Sequence, residues 1–412
     1  MGLLAPFRAL RPPPDLAPSI ASPPYDVVSS SEARAFASGN PRSFFRISRP
    51  EVDLPPGVDE HSDPVHARGR AALEEFRRNG WLLLDDAPRF SLYRQRMGSH
   101  SQTGLVACAS VDAYVRGDIK RHELTRADKE DDRTRHIETL GGNDEPVFLA
   151  YRARPSVDAV LHRGTARHPD LHFTSEDGVE HSVWVVPPSE NGTIESALSE
   201  LDALYIADGH HRSAAAARVQ ALRRARGAGG GEADWFLAVV FSHEALQILP
   251  YNRLVKDLGP GGSAALLRGL AARFDVAPAA RPEPNAPHGF GLYVDRRWWR
   301  LIARPATVPA EARGALDVSI LQDAVLDPLL GIHDPRRDPR IEFVGGIRGA
   351  GELQARVDRG EAKAAFTLWP TSMAELLAIS DAGQIMPPKS TWFEPKLRSG
   401  LFLHPFEDPP GP

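Results

Sequence analysis

The sequence predicts a mixed α/β to α+β protein built on a central mixed sheet. Three observations carry that expectation. Strand-like runs alternate irregularly with helical spacings along all 412 residues. One run, WFLAVVF at 235–241, is apolar throughout, as a strand covered on both faces must be. Another, LYIA at 204–207, breaks into Asp-Gly-His-His-Arg and then at once into an alanine-rich helical pattern.

The elements follow in order. HARGRAALEEFRRNGWL (66–82) has helical spacing. RFSLYRQRM (89–97) and HSVWVVP (181–187) alternate like half-buried strands. Past a Pro/Ala connector at 276–289, FGLYVDRRWWRLIA (290–303) reads as a hairpin and LDVSILQDAVLDPLLGI (316–332) as a helix. AAFTLWP (364–370) is a further strand, and SMAELLAIS (372–380) a further helix. Polar, proline-rich or glycine-rich loops occupy 49–64 and 224–234. The expected division is a main α/β body over 1–255 and a C-terminal α+β part over 256–412.

Composition narrows the function classes. Apolar residues make up 42% of the chain and charged residues 25%, an ordinary globular balance. The net charge of −5 is spread out and no polybasic tail exists, so neither nucleic acid nor an anionic membrane is expected as a partner. The lone Cys108 excludes an internal disulfide framework and fits a reducing, cytoplasmic setting. No apolar run reaches the ~18 residues of a membrane span, and the proline-broken N-terminus does not read as a signal peptide.

Two stretches invite chemistry. At the strand-to-helix corner, Gly209 permits a sharp turn and the helix after it opens with unpaired N–H groups, a ready anion site. Arg212 adds a planar fork for phosphate or carboxylate, His210 and His211 add imidazoles, and Asp208 can cap, orient an imidazole or hold a cation. Ser213 is a candidate cap. The second stretch, GDIKRHELTRADKEDDRTRHIETLGGNDEP (117–146), predicts a helix from about 126 to 140, opened by Thr125 with Asp128 and closed by Gly141. Its apolar content, Ala127, Ile137 and Leu140, is thin. His122, Arg126, Lys129, Arg133 and His136 recur at steps of four and three, a cationic stripe that an anionic ligand would relieve. Glu123, just ahead of that helix, is the candidate general base, with His122 beside it.

The tail GQIMPPKSTWFEPKLRSGL (383–401) sets Lys389, Ser390, Thr391 and Lys396 in a proline-rigid context. It lacks the second glycine of a phosphate loop. Near the start, ASPPYDVVS (21–29) and NPRSFFRIS (40–48) place Tyr25, Asp26, Asn40 and Arg46 in turn-forming surroundings, able to line a pocket or simply to pack.

PPYDVVS, NPRSFFRIS, IKRHELTRADKEDDRTRHI, EPVFLAY, YIADGHHRSAAA, ILPYNRLV and GQIMPPKSTWFEPKLRSGL, in that order, resemble the domain-of-unknown-function 1015 family. The Asp-Gly-His-His-Arg corner is similar to a motif of free-serine kinases in the ParB/sulfiredoxin-like superfamily. That resemblance implies a ParB/sulfiredoxin-like nucleotide-binding core, with nucleotide phosphates at Gly209, His210, His211 and Arg212. No cysteine lies near the motif, against sulfiredoxin chemistry, and no helix-turn-helix domain accompanies it.

The expected activity is therefore a small-molecule phosphotransferase using ATP or ADP with Mg2+, on an acceptor such as free serine. In that reading Arg126, Lys129, Arg133, Arg212 and Lys389 neutralise phosphate, Glu123 takes the hydroxyl proton, and Asp208 or Asp26 stands near the metal. A nucleotide-binding regulatory protein without catalysis is one alternative. A metal hydrolase using His122, His136, His210, His211 and Asp208 is another. A homodimer stays open.

Overall fold

The computed structural model describes residues 2–407; Met1 and residues 408–412 lie outside the described residues. The described residues form two compact units, 2–246 with 395–407, and Gln247–Glu394. The strand at Tyr251–Val255, which the sequence reading gave to the main body, lies in the second unit. The end of the tail returns to the first.

The first unit holds a nine-stranded mixed sheet. Its strands are β1 Leu4–Ala5, β2 Ser91–Met97, β3 His100–Ser110, β4 Ile119–Lys120, β5 Val147–Tyr151, β6 Leu171–Thr174, β7 Glu180–Val185, β8 Leu204–Asp208 and β9 Trp235–Ser242. They lie in the order β4-β8-β5-β9-β3-β2-β7-β6, with β1 on β3. The apolar run at 235–241 is central, parallel to β5 and antiparallel to β3. Leu105, Ala107, Leu149, Ile206, Ala238 and Val240 belong to one buried cluster on this sheet.

Three helices bear on the site: α1 Asp63–Arg78, α2 Ala127–Leu140 and α3 His210–Ala225. α2 starts and stops within a residue of expectation, and Gly141 ends it in the left-handed region at φ 71°. Thr125 does not cap it: its hydroxyl bonds Glu130, and the N-cap, Arg126, makes no side-chain cap bond. The apolar grip on α3 is small, Ile137 against Ala215 and Val219. Ion pairs supply the rest. Arg218 reaches Asp131 at 2.6 Å, and Arg223 and Arg226 each reach Glu138 at 2.8 Å.

In the second unit six strands form an antiparallel sheet: β10 Tyr251–Val255, β11 Phe274–Pro278, β12 Gly289–Val294, β13 Arg297–Ala303, β14 Ile341–Gly345 and β15 Ala364–Leu368, in the order β11-β13-β12-β15-β10-β14. The expected hairpin is β12–β13. Asp295 and Arg296 turn it with φ of 50° and 59°, the double left-handed turn that matches strand twist. The helix expected over 316–332 is interrupted by a π-helical stretch at Gln322–Leu326. Among the described residues no helix is long and apolar enough to cross a membrane.

Gly104 in β3 faces Phe241 in β9, and a Cβ there would stand 2.8 Å from the buried ring. Gly104→Ala should destabilise the first unit by about 1–3 kcal/mol through overpacking, read as a lower urea midpoint.

Candidate functional site

The corner begins with a disturbance in the sheet. β8 pairs antiparallel with β5, but the register shifts between Ile206 and Asp208, a bulge that re-aims the strand's last side chain. Gly209 follows at φ 96°, a conformation that strains any residue with a Cβ, and α3 starts at the next residue. Gly209 is the N-cap. Ser213 does not cap the helix; its hydroxyl donates back to the carbonyls of Gly209 (3.1 Å) and His210 (3.2 Å).

Asp208 is tied down on both oxygens. The Gly209 N–H donates to Oδ1 at 2.8 Å, and Lys396 Nζ donates to Oδ2 at 2.9 Å. Arg212 Nη2 lies 3.8 Å from Oδ1. Burial would raise this carboxyl's pKa, but the charges of Lys396 and Arg212 outweigh it and hold the group far below the ordinary carboxylate range.

Lys396 is in turn positioned by polar side chains inside the sheet. Gln95 Nε2 donates to the Lys396 carbonyl at 2.7 Å, and Gln102 Nε2 donates to Gln95 Oε1 at 3.0 Å. Both glutamines are buried. Two residues on, the Arg398 N–H donates to the Tyr93 hydroxyl at 3.4 Å.

Arg212 is buried and donates through Nη1 to the Pro146 carbonyl. It shares a pocket with Tyr25, Arg133, Asp144 and Glu145. The innermost part of that pocket has room for about one water molecule. Arg133 lies over the Tyr25 ring at 4.3 Å and pairs with Asp132 at 2.7 Å. Burial lifts the Glu145 carboxyl to about 8, against the pull of Arg212 and with the added push of Asp144 and Asp26.

The histidines sort differently from the expectation. His122 is buried, set edge-on to His210 with ring centroids 4.5 Å apart. Burial lowers its pKa to about 4, so it is a neutral imidazole near pH 7 and no ready proton donor. Burial and the neighbouring His122 lower His210 as well. Glu123, about one-third exposed, brings Oε2 to 3.9 Å from His210 Nδ1. His211 Nε2 accepts the Arg126 N–H at 3.1 Å, joining the start of α2 to the corner.

The stripe does not form one anion-binding face. Arg126 is exposed and pairs with Asp128, Lys129 is half-buried, Arg133 pairs with Asp132, and His136 bonds Asp144 at 3.0 Å. Carboxylates of the protein relieve the like-charge repulsion that a ligand was expected to relieve. Only Arg133 of the stripe meets Arg212 in one pocket. Asp26 is exposed, yet its charge acts on Arg212, Glu145 and Tyr25. Lys389 belongs to the second unit, with its ammonium 5.6 Å over the Tyr251 ring. Among the described residues no group of three or more His, Cys, Asp or Glu side chains is arranged to hold a metal.

Glu145 was absent from the expected site, and Lys396 was passed over for Lys389. Two signals pointed toward them: an Asp-Glu pair directly before the apolar run of β5, and glutamines on the strands β2 and β3.

A family model described as "Protein of unknown function (DUF1015)" matches residues 4–319. No curated protein matches the chain. Among solved structures, a free serine kinase in complex with AMP is 15% identical, over 72% of this chain and 92% of that one, with a TM-score of 0.34. A conserved hypothetical protein from Pyrococcus furiosus is 16% identical over 72% and 95%, at 0.35. SbnI with C-terminal truncation from Staphylococcus aureus is 13% identical over 73% and 87%, at 0.38.

Lys396→Met tests the ion cluster. It leaves Asp208 without its ammonium and should cost about 1–3 kcal/mol at pH 7. Asp208 has a depressed folded pKa, so its contribution is complete above the unfolded value of about 3.9 and fades as pH falls below it. The gap in thermal midpoint between wild type and variant should be largest at neutral pH and shrink toward pH 3.

Proposed function

We propose that this chain, which belongs to the DUF1015 family of proteins of unknown function, is a nucleotide-dependent phosphotransferase acting on a small hydroxyl compound, with a free amino acid such as serine as the acceptor. One observation carries the reading. Two fixed cations, Arg212 and Lys396, flank the ionised Asp208 where a glycine opens a long helix, and a carboxylate, Glu123, stands beside that opening.

Phosphoryl transfer asks the protein mainly for position and charge. Arg212 and Lys396 would neutralise the phosphates, with Arg133 adding positive potential from the shared pocket. Asp208 keeps both cations in place before the nucleotide arrives. Glu123, with Oε2 3.9 Å from His210 Nδ1 at the start of α3, would take the proton of the acceptor hydroxyl. In the transfer, the acceptor oxygen bonds to the terminal phosphorus as its proton passes to Glu123. The bond from that phosphorus to the bridging oxygen breaks, and the shortened nucleotide leaves. Magnesium enters as part of the nucleotide substrate, where it neutralises phosphate charge; both oxygens of Asp208 are already committed to protein donors.

A thermal-shift series with AMP, ADP and ATP, with and without magnesium, tests binding. A nucleotide at one hundred times its Kd should add about 2.7 kcal/mol of apparent stability. Transfer of labelled terminal phosphate to serine tests the reaction. Glu123→Gln should lower turnover by roughly 10²–10⁴ while the nucleotide shift survives. Full turnover in that variant removes Glu123 as the base, and no shift with any nucleotide removes the whole reading.

A further inference from the structure

Within the pocket below the corner, two groups are left with unmet hydrogen-bonding capacity. Glu145 is 5% exposed and Arg212 8%, yet Glu145 Oε2 and Arg212 Nε have no hydrogen-bond partner. They are close without being bonded: Arg212 Nη1 stands 3.8 Å from Glu145 Oε2. A buried carboxyl beside a buried guanidinium should collapse into a paired fork if it were ionised. The other oxygen, Oε1, accepts the Tyr25 N–H at 3.2 Å.

We propose that Glu145 sets how firmly Arg212 holds an anion: protonated, it leaves the guanidinium to the ligand, and ionised, it competes for it. The inference rests on the reading of the corner as a nucleotide site and names a positioning residue and a regulation of that site. Charged or polar groups face Glu145 from several elements, while β9 contributes the apolar Phe236 and Leu237. Arg212 comes from α3, Arg133 and, through Asp144, His136 from α2, Asp144 from its own strand approach, Tyr25 and Asp26 from the N-terminal loop, and the Ser399 hydroxyl from the returning tail. Burial opposes the charged form, as do Asp144 and Asp26; the Arg212 guanidinium and the Ser399 hydroxyl favour it, and the balance falls near pH 8.

The test measures ADP affinity by calorimetry between pH 7 and pH 9.5 for wild type and Glu145→Gln; the last ionisation of the ADP phosphates, near neutrality, acts on both proteins alike and strengthens rather than weakens binding as pH rises. The glutamine keeps the shape and removes the titration, and its circular dichroism and pH 7 melting point report whether it folds. Wild-type affinity should fall roughly tenfold from pH 7 to pH 9, the loss of protonated fraction for a group titrating at about 8. The variant should bind at every pH as wild type does at pH 7. Wild-type affinity that stays flat, or an equal fall in both proteins, overturns the inference and leaves the nucleotide reading standing. Absence of ADP binding by both proteins at every pH overturns the nucleotide reading and this inference with it. If the variant fails to fold, the wild-type profile decides: a fall centred near pH 8 supports the inference, and its absence overturns it.

Discussion

A carboxylate partly withdrawn from water has to be answered by charge or by hydrogen bonds, and Asp208 is answered by both. Its oxygens take an ammonium and a backbone N–H, with a guanidinium close by. Removing charge from water is costly unless partners restore what solvation supplied. Much of the local architecture follows from that demand. The bulge in β8 aims the side chain, the left-handed glycine brings its own amide around, and α3 starts at once so that Arg212 comes back over the carboxylate. On the far side, buried glutamines on β2 and β3 hold the chain that delivers Lys396.

The same demand, met by other partners, accounts for α2. This helix is too polar to be held by apolar burial, and it is held by charge instead. Its cations find carboxylates on their own segment, and its acids find arginines on α3. Buried groups such as Arg133 and His136 keep a fixed geometry because each is bonded to an aspartate. A helix of this kind fits its neighbours in one register only, since a slip of one residue would strand several ionised groups.

The fold was largely legible in the sequence. The apolar runs at 235–241 and 204–207 became the strands β9 and β8, and the alternating RFSLYRQRM became β2, because hydrophobic periodicity is a local signal. The corner could be located for the same reason: glycine and a sudden change of pattern mark a turn. Its partners were another matter. Lys396 and Lys389 share one short stretch of tail, and no local rule separates the lysine that reaches Asp208 from the one that lies over Tyr251. Glu145 reads as a loop acid until the strand after it is seen to be central in a sheet. The cationic stripe misled because spacing reveals which side chains share a face but not that adjacent acids will fold back upon them.

The ion cluster joins residues 188 positions apart. During synthesis at ~5–20 residues per second, the corner therefore emerges from the ribosome roughly 10–40 s before its ammonium partner exists. Throughout that interval Asp208 has its backbone amide and the Arg212 side chain but no ammonium, and the sheet around it must form with one cation missing. A segment made much later thus closes the cluster, and a nascent polypeptide arrested before Lys396 carries the turn without the grip.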